Sequence, residues 1–170
     1  LPGYGFFFYF CYNRFSVQEI AAVFGELMTY VLVYRRYAAQ GGDWGSFITS
    51  VVGLRFAQHV CGIHLNLMPL RRDPKVATNP DSPEQKKYLE ELALFLKEET
   101  GYQWIQGTKP QTLAFALTDS PAGLAAWIME KFRKWSDCNG DPESILTKDE
   151  LLTNITIYWA TGAIGSSFWP

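Results

Sequence analysis

Tyr37-Ala38-Ala39-Gln40-Gly41-Gly42-Asp43-Trp44-Gly45-Ser46 is a short apolar run that ends in Gly-x-Asp-x-Gly and leads into a helical pattern. Residues Tyr37 to Gln40 predict a short buried strand, and Ser46 to about Gln58 predicts a helix. A side chain held up on a tight strand-to-helix turn needs small neighbours where the backbone folds onto itself, and Gly41 and Gly45 supply them. The helix behind the turn aims its first N–H groups at the site. An anion forming beside Asp43 therefore meets preorganised donors, with the Trp44 N–H as the expected one. The pattern is that of a nucleophile elbow with aspartate in place of serine.

The identity of the nucleophile narrows the chemistry. A carboxylate has an ordinary pKa of about 4, so it is charged at neutral pH and needs no base in order to attack. Attack on a peptide or ester carbonyl would give a high-energy anhydride. Attack on a saturated carbon with a strained or good leaving group gives an ordinary alkyl ester, which points to epoxides and alkyl halides and to a covalent ester intermediate. The alternative reading of Asp43 is an acidic turn residue between glycines.

Outward from the elbow, Ser16 and Glu19 form a capping box, and Ile20, Val23, Phe24, Leu27, Met28 and Val31 recur on one helical face. They predict a helix from about Val17 to Leu32. Val60-Cys61-Gly62-Ile63-His64-Leu65-Asn66-Leu67 reads as a second strand. Helix, strand, elbow, helix, strand is the centre of a doubly wound α/β sheet. Composition changes after Met68, where Arg71-Arg72-Asp73-Pro74 leads into a Pro- and Asn-rich stretch through Pro83 that reads as a boundary.

Beyond the boundary, helices are predicted over Glu84 to Glu99, near Thr112 to Thr118, over about Ala122 to Trp135 after Ser120-Pro121, and after a Thr147/Glu150 capping box. The expected organisation is a partial α/β core over residues 1–70 and a mainly helical lid over residues 71–170, whose end leads back toward further core.

The chain has 170 residues, 48% apolar, with a net charge of −2, a balance that supports a buried core and argues against disorder and against a nucleic-acid partner. It starts at Leu1 and ends at Pro170, and reads as an internal piece of a longer protein. No apolar run is long enough to span a bilayer; the aromatic cluster Phe6 to Tyr12 is too short, lacks a basic start, and reads as a buried or pocket-facing loop. Cys11, Cys61 and Cys138 stand singly, as reduced, packed thiols do. Asp137-Cys138-Asn139-Gly140-Asp141 begins like a calcium loop, but Pro142 and Lys148 occupy the positions that need glycine and glutamate. Neither a metal nor any other cofactor is expected. Asn154-Ile155-Thr156 matches a glycosylation sequon but falls inside a predicted helix.

His59 and His64 are the only histidines, and their place on or beside a strand suits structural imidazoles. The chain then lacks a base to activate water. Trp127, Trp135 and Trp159 read as core. Tyr102, ahead of Thr108-Lys109-Pro110, has two readings: lid packing, or a hydroxyl that donates to an epoxide oxygen as the ring opens.

Taken together, Leu1-Pro2-Gly3-Tyr4-Gly5-Phe6, Gln40 to Ser46, Gly62-Ile63-His64-Leu65-Asn66, Thr108-Lys109-Pro110-Gln111-Thr112, Asp119 to Ile128 and Leu151-Leu152-Thr153-Asn154 resemble the microsomal-type epoxide hydrolases, including the juvenile hormone epoxide hydrolases. The resemblance runs from end to end. It implies an α/β-hydrolase fold with a helical lid, the ester-forming nucleophile at Asp43, a ring-opening tyrosine at Tyr102, and the Trp44 N–H in the oxyanion hole. It implies a small apolar epoxide and water as reactants, a vicinal diol as product, and no cofactor.

The family's His-Gly-x-Pro loop, second lid tyrosine, catalytic histidine and acid have no counterpart between Leu1 and Pro170, so this chain alone is expected to form the ester without turning over. Phe7 to Asn13 is also more aromatic than the family's usual run there. A haloalkane dehalogenase, which shares the Asp-Trp elbow, and a hydrolase-like binding protein remain the alternatives. An animal member would belong at the endoplasmic reticulum membrane, any other in the cytoplasm.

Overall fold

A computed structural model of the chain describes residues 1, 3–6, 15–68 and 80–168. Cys11, the aromatic cluster beyond Phe6 and the Arg71–Pro74 stretch lie outside them. The described residues form two compact units, one of residues 15–68 and 80–103, the other of residues 1, 3–6 and 104–168.

The first unit carries the elbow. Helix α1 (Val17–Glu26) opens on the expected capping box: Ser16 Oγ accepts the Glu19 N–H, and the Glu19 carboxylate accepts the Ser16 N–H at 2.8 Å. The predicted helix does run on toward Leu32, but as one wide π-turn over Leu27–Val31. There Thr29 Oγ1 donates to the Gly25 carbonyl at 2.7 Å, a local side-chain bond that competes with the regular helical ladder.

Strand β1 (Tyr37–Gly41) is followed by helix α2 (Trp44–Arg55) and strand β2 (Val60–Leu65). The strands pair in parallel from Tyr37 opposite Val60 to Gly41 opposite Leu65, with one register shift after Tyr37. Parallel neighbours need a crossover, and α2 is that crossover. Helix α2 packs on α1 and on both strands, burying Ile20, Ala21, Tyr37, Ile48 and Val52 in one core. Only the ends of β1, Tyr37 and Gly41, are buried; Ala38 and Gln40 are exposed, and so is most of β2. Helix α3 (Pro83–Glu99) begins with Pro83 at its first position and Ser82 Oγ accepting the Gln85 N–H at 3.2 Å.

Helix α4 (Gly101–Thr108) spans the division between the units. No sequence signal predicts it, because its Gly-Tyr-Gln-Trp-Ile-Gln-Gly-Thr run has a glycine at its start, another near its end, and no apolar stripe long enough to show a period. The second unit contains α5 (Pro110–Asp119), α6 (Pro121–Trp135) and α7 (Lys148–Thr161). Ser120 caps α6 and Thr147 with Glu150 makes the expected capping box on α7. Helix α7 ends at Gly162 with φ of 63°, the left-handed exit that glycine favours. Leu117, Leu124, Ile155, Ile164 and Phe168 form this unit's core. Ser166 Oγ donates to the Gly3 carbonyl at 2.7 Å and so fastens the first residues to the last turn.

Several packing expectations need correction. Trp127 is a core residue, its ring 6.4 Å from that of Phe168. Trp135 and Trp159 are not, at 44% and 39% exposed, and the Lys131 ammonium lies 4.8 Å over the Trp135 ring. Helical spacing shows which residues share a face, but not how far the neighbouring helix extends over it. Cys138 is buried as expected, whereas Cys61 is exposed on β2 with its thiol donating to the Tyr37 carbonyl. The acidic loop has a structural occupation: Asp141 caps the short 3-10 turn Pro142–Ser144. Asn154 lies within α7. No helix among the described residues is long and apolar enough to cross a membrane.

Two predictions test these packing details. The Tyr37 hydroxyl is buried without a hydrogen-bond partner among the described residues, and burial pushes its pKa up. An unsatisfied buried hydroxyl costs about 1–3 kcal/mol, so Tyr37→Phe should raise the unfolding free energy by about 1 kcal/mol in urea titration. Bonds from the Thr147 backbone and side chain hold the Glu150 carboxyl below the usual range. Its folded-state pKa is depressed, so the capping contribution is full above the ordinary carboxylate range and is lost as pH falls through the folded value. Amide exchange in the first turn of α7 should accelerate over that acid window, and Glu150→Gln should remove this pH dependence.

Candidate active site

Asp43 sits between β1 and α2 with φ of 49° and ψ of −127°, a positive-φ conformation that is rare for a residue with a side chain. Such strain of about 1–3 kcal/mol persists only where the surroundings impose it. Asp43 is also the N-cap of α2, yet its carboxylate makes no capping bond. A capping aspartate normally has extended backbone and folds its oxygen back onto the second or third helical N–H. Here the left-handed turn lifts the carboxylate away, leaves it exposed, and the Ser46 N–H instead takes the Asp43 carbonyl at 3.0 Å.

Trp44 is the first helical residue, so its N–H is among the leading amides that the helix itself does not use. Its half-exposed ring leans on Phe47 with centroids 5.8 Å apart.

The two elbow glycines differ. A Cβ on Gly41 would collide with the Gly45 carbonyl and stand 2.6 Å from Thr49 Oγ1. A Cβ on Gly45 would meet nothing within 4 Å among the described residues, which corrects the expectation that both glycines are there for space. The close approach is one-sided: the backbone of Gly45 presses on Gly41, while the Gly45 side-chain direction points away.

Three polar residues secure the turn. The Gly41 carbonyl accepts both the buried Ser46 hydroxyl at 2.8 Å and the Asn66 N–H at 3.1 Å. Gln40 Nε2 donates to Asn66 Oδ1. Sequence reading does not assign these roles to Gln40, Ser46 and Asn66; the available signal is a polar residue just past each apolar strand run.

The remaining candidates lie elsewhere. His59 Nδ1 is 3.0 Å from the Arg35 carbonyl, a structural bond of the kind expected, and His64 pairs opposite Gln40 on β2. Tyr102 is the second residue of α4, half-buried, and its hydroxyl oxygen accepts Gln103 Nε2 at 3.0 Å. It belongs to the same compact unit as Asp43. An open cleft of about 680 Å³ lies by Arg133, Lys134, Asp137 and Asn139, and no candidate residue lines it.

No family model matches the chain. A protein of Stigmatella aurantiaca provisionally named an epoxide hydrolase is 43% identical over 167 residues, covering 98% of this chain and 38% of that protein. The juvenile hormone epoxide hydrolase of Bombyx mori is 37% identical over 185 residues, covering 98% and 40%. A crystal structure of juvenile hormone epoxide hydrolase from Bombyx mori superposes with a TM-score of 0.84 at 38% identity, over 99% of this chain and 44% of that one. The epoxide hydrolase structure from Aspergillus niger gives 0.81 at 29% identity, over 99% and 42%. The fold is therefore that of the α/β-hydrolases, and the chain spans about two fifths of the length of the curated relatives it matches.

The asymmetry of the two glycines is directly measurable. Gly41→Ala should lower stability by about 2 kcal/mol or more, because neither the Gly45 carbonyl nor the packed turn can retreat. Gly45→Ala, within the first turn of α2, should be neutral or stabilising by up to about 1 kcal/mol. Thermal unfolding of the matched variants checks both.

Proposed function

We propose, since this chain belongs to the epoxide hydrolase family that includes the juvenile hormone epoxide hydrolases, that the protein bearing it converts a small apolar epoxide and water into a vicinal diol. The observation that carries the reading is the left-handed Asp43 at the head of α2, with its carboxylate uncommitted to the helix cap. A carboxylate oxygen attacks one epoxide carbon from the side opposite the ring oxygen. The new C–O ester bond forms as the ring C–O bond breaks, and the electron pair passes to the ring oxygen. Tyr102 donates a hydrogen bond, and then its proton, to that oxygen. Water, activated by a base beyond the residues of this chain, then adds to the ester carbonyl. The resulting oxyanion accepts the Trp44 N–H; its collapse breaks the ester C–O bond, restores the Asp43 carboxylate and frees the diol, the two water protons passing to the departing alkoxide and to the Tyr102 phenolate.

In this proposal residues 1–70 belong to the α/β core that presents the nucleophile, and residues 71–170 to the helical lid that carries Tyr102. The chemistry needs no cofactor, because carboxylate, phenol and water supply every proton and electron pair. Localisation follows the same reading: an animal protein of this kind sits at the endoplasmic reticulum membrane through a segment other than the described helices, a microbial one in the cytoplasm.

In the full-length protein, Asp43→Ala should lower diol formation by about a thousandfold or more, and Tyr102→Phe by about a hundredfold. Mass spectrometry after epoxide exposure should find the substrate mass added to the Asp43 peptide. Wild-type diol production by Asp43→Ala, with no adduct in the unsubstituted protein, would sink the assignment. Halide release from chloroalkanes with no action on epoxides would mark a dehalogenase instead.

A further inference from the structure

We infer that Gln40 and Asn66 are positioning residues for the ester-forming step, a reading that rests on Asp43 being the nucleophile. Their side-chain bond and the Asn66 N–H on the Gly41 carbonyl together fix the backbone that aims the Asp43 carboxylate.

The positive φ of Asp43 does not maintain itself; something on each side of the turn has to hold it. On the helix side that is Ser46, whose buried hydroxyl grips the Gly41 carbonyl. On the sheet side it is Asn66. The β1–β2 ladder ends with Gly41 opposite Leu65, and Asn66 is the next residue along β2's direction. Its N–H occupies the second acceptor position of the same carbonyl, so Gly41 is fixed from both sides two residues before the nucleophile.

The Asn66 side chain does two further things. Its Cβ lies 3.4 Å from where a Cβ on Gly42 would stand, so it walls the residue immediately before Asp43. Its Oδ1 accepts Gln40 Nε2, which locks its own rotamer to β1. Gln40, Gly41 and Gly42 are thus the three consecutive residues leading to Asp43; Asn66 bonds the first two and flanks the third.

A bond between two exposed side chains contributes little to global stability. Aim is far more sensitive, since a misplacement of about 1 Å at the reacting centre can cost about a hundredfold in rate. The pair should therefore matter to the rate of attack much more than to folding.

The experiment uses the full-length protein. Gln40→Met removes the donor while keeping side-chain length, and Asn66→Ala removes the acceptor while keeping the backbone N–H. Single-turnover rapid quench with mass detection of the Asp43 adduct gives the ester-formation rate, read beside KM and the thermal midpoint. Each variant should slow ester formation about tenfold or more, with KM changed less than about threefold and the midpoint little moved. The double variant should be no slower than the slower single one, because both remove one shared bond.

Ester formation within twofold of the unsubstituted rate in both variants, or multiplicative losses in the double, would overturn the inference. If Asn66→Ala fails to fold, Gln40→Met at its exposed position decides alone. Asp43→Ala run in parallel separates the two readings: an active Asp43→Ala removes the nucleophile itself, whereas an inactive Asp43→Ala beside a full-rate Gln40→Met removes only the positioning role.

Discussion

The contact between the Gly45 carbonyl and the Cα of Gly41 governs the first unit. It exists because α2 starts immediately after β1, with only Gly42 and Asp43 to reverse the chain. Two residues cannot make that reversal in ordinary backbone regions, so one of them takes a positive φ, and that residue is Asp43. The parallel pairing of β1 with β2 and the packing of α2 over both strands follow from the same short connection. A wider turn would move α2 away from Tyr37 and open the core formed with Ile48 and Val52.

Much of this was legible in the sequence, where the signal is local. Ser16 with Glu19, Thr147 with Glu150, and Ser followed by Pro before α3 and α6 each satisfy orphan helix-start donors with side chains adjacent in sequence. Helix starts therefore came out close to their observed positions. The elbow was legible for the same reason, as a glycine pattern that only a close backbone approach requires. Even there, sequence treated Gly41 and Gly45 as equivalent, and only three-dimensional placement separates them.

What stayed hidden depends on partners distant in the chain or on competing local bonds. The Gln40–Asn66 bond joins residues 26 apart and has no periodic signature. Helix α4 lacks both a recognisable cap and a periodic stripe, so nothing near it in sequence announces it. The π-turn lies where Thr29 donates to the Gly25 carbonyl, a local side-chain bond that apolar periodicity does not register. The exposure of Trp135, Trp159 and Cys61 reflects where neighbouring elements stop.

The unused cap of α2 has a consequence for what kinds of change the chain tolerates. The left-handed backbone that lifts the Asp43 carboxylate also forbids it from bonding the helix behind it, so strain and a forgone cap fall on one residue. Glycine at position 43 would adopt the same backbone without strain. A screen for heat resistance that ignored activity would therefore drift toward glycine there, and, under the role proposed for Asp43, the chains it recovered would be sturdier and unable to form the ester.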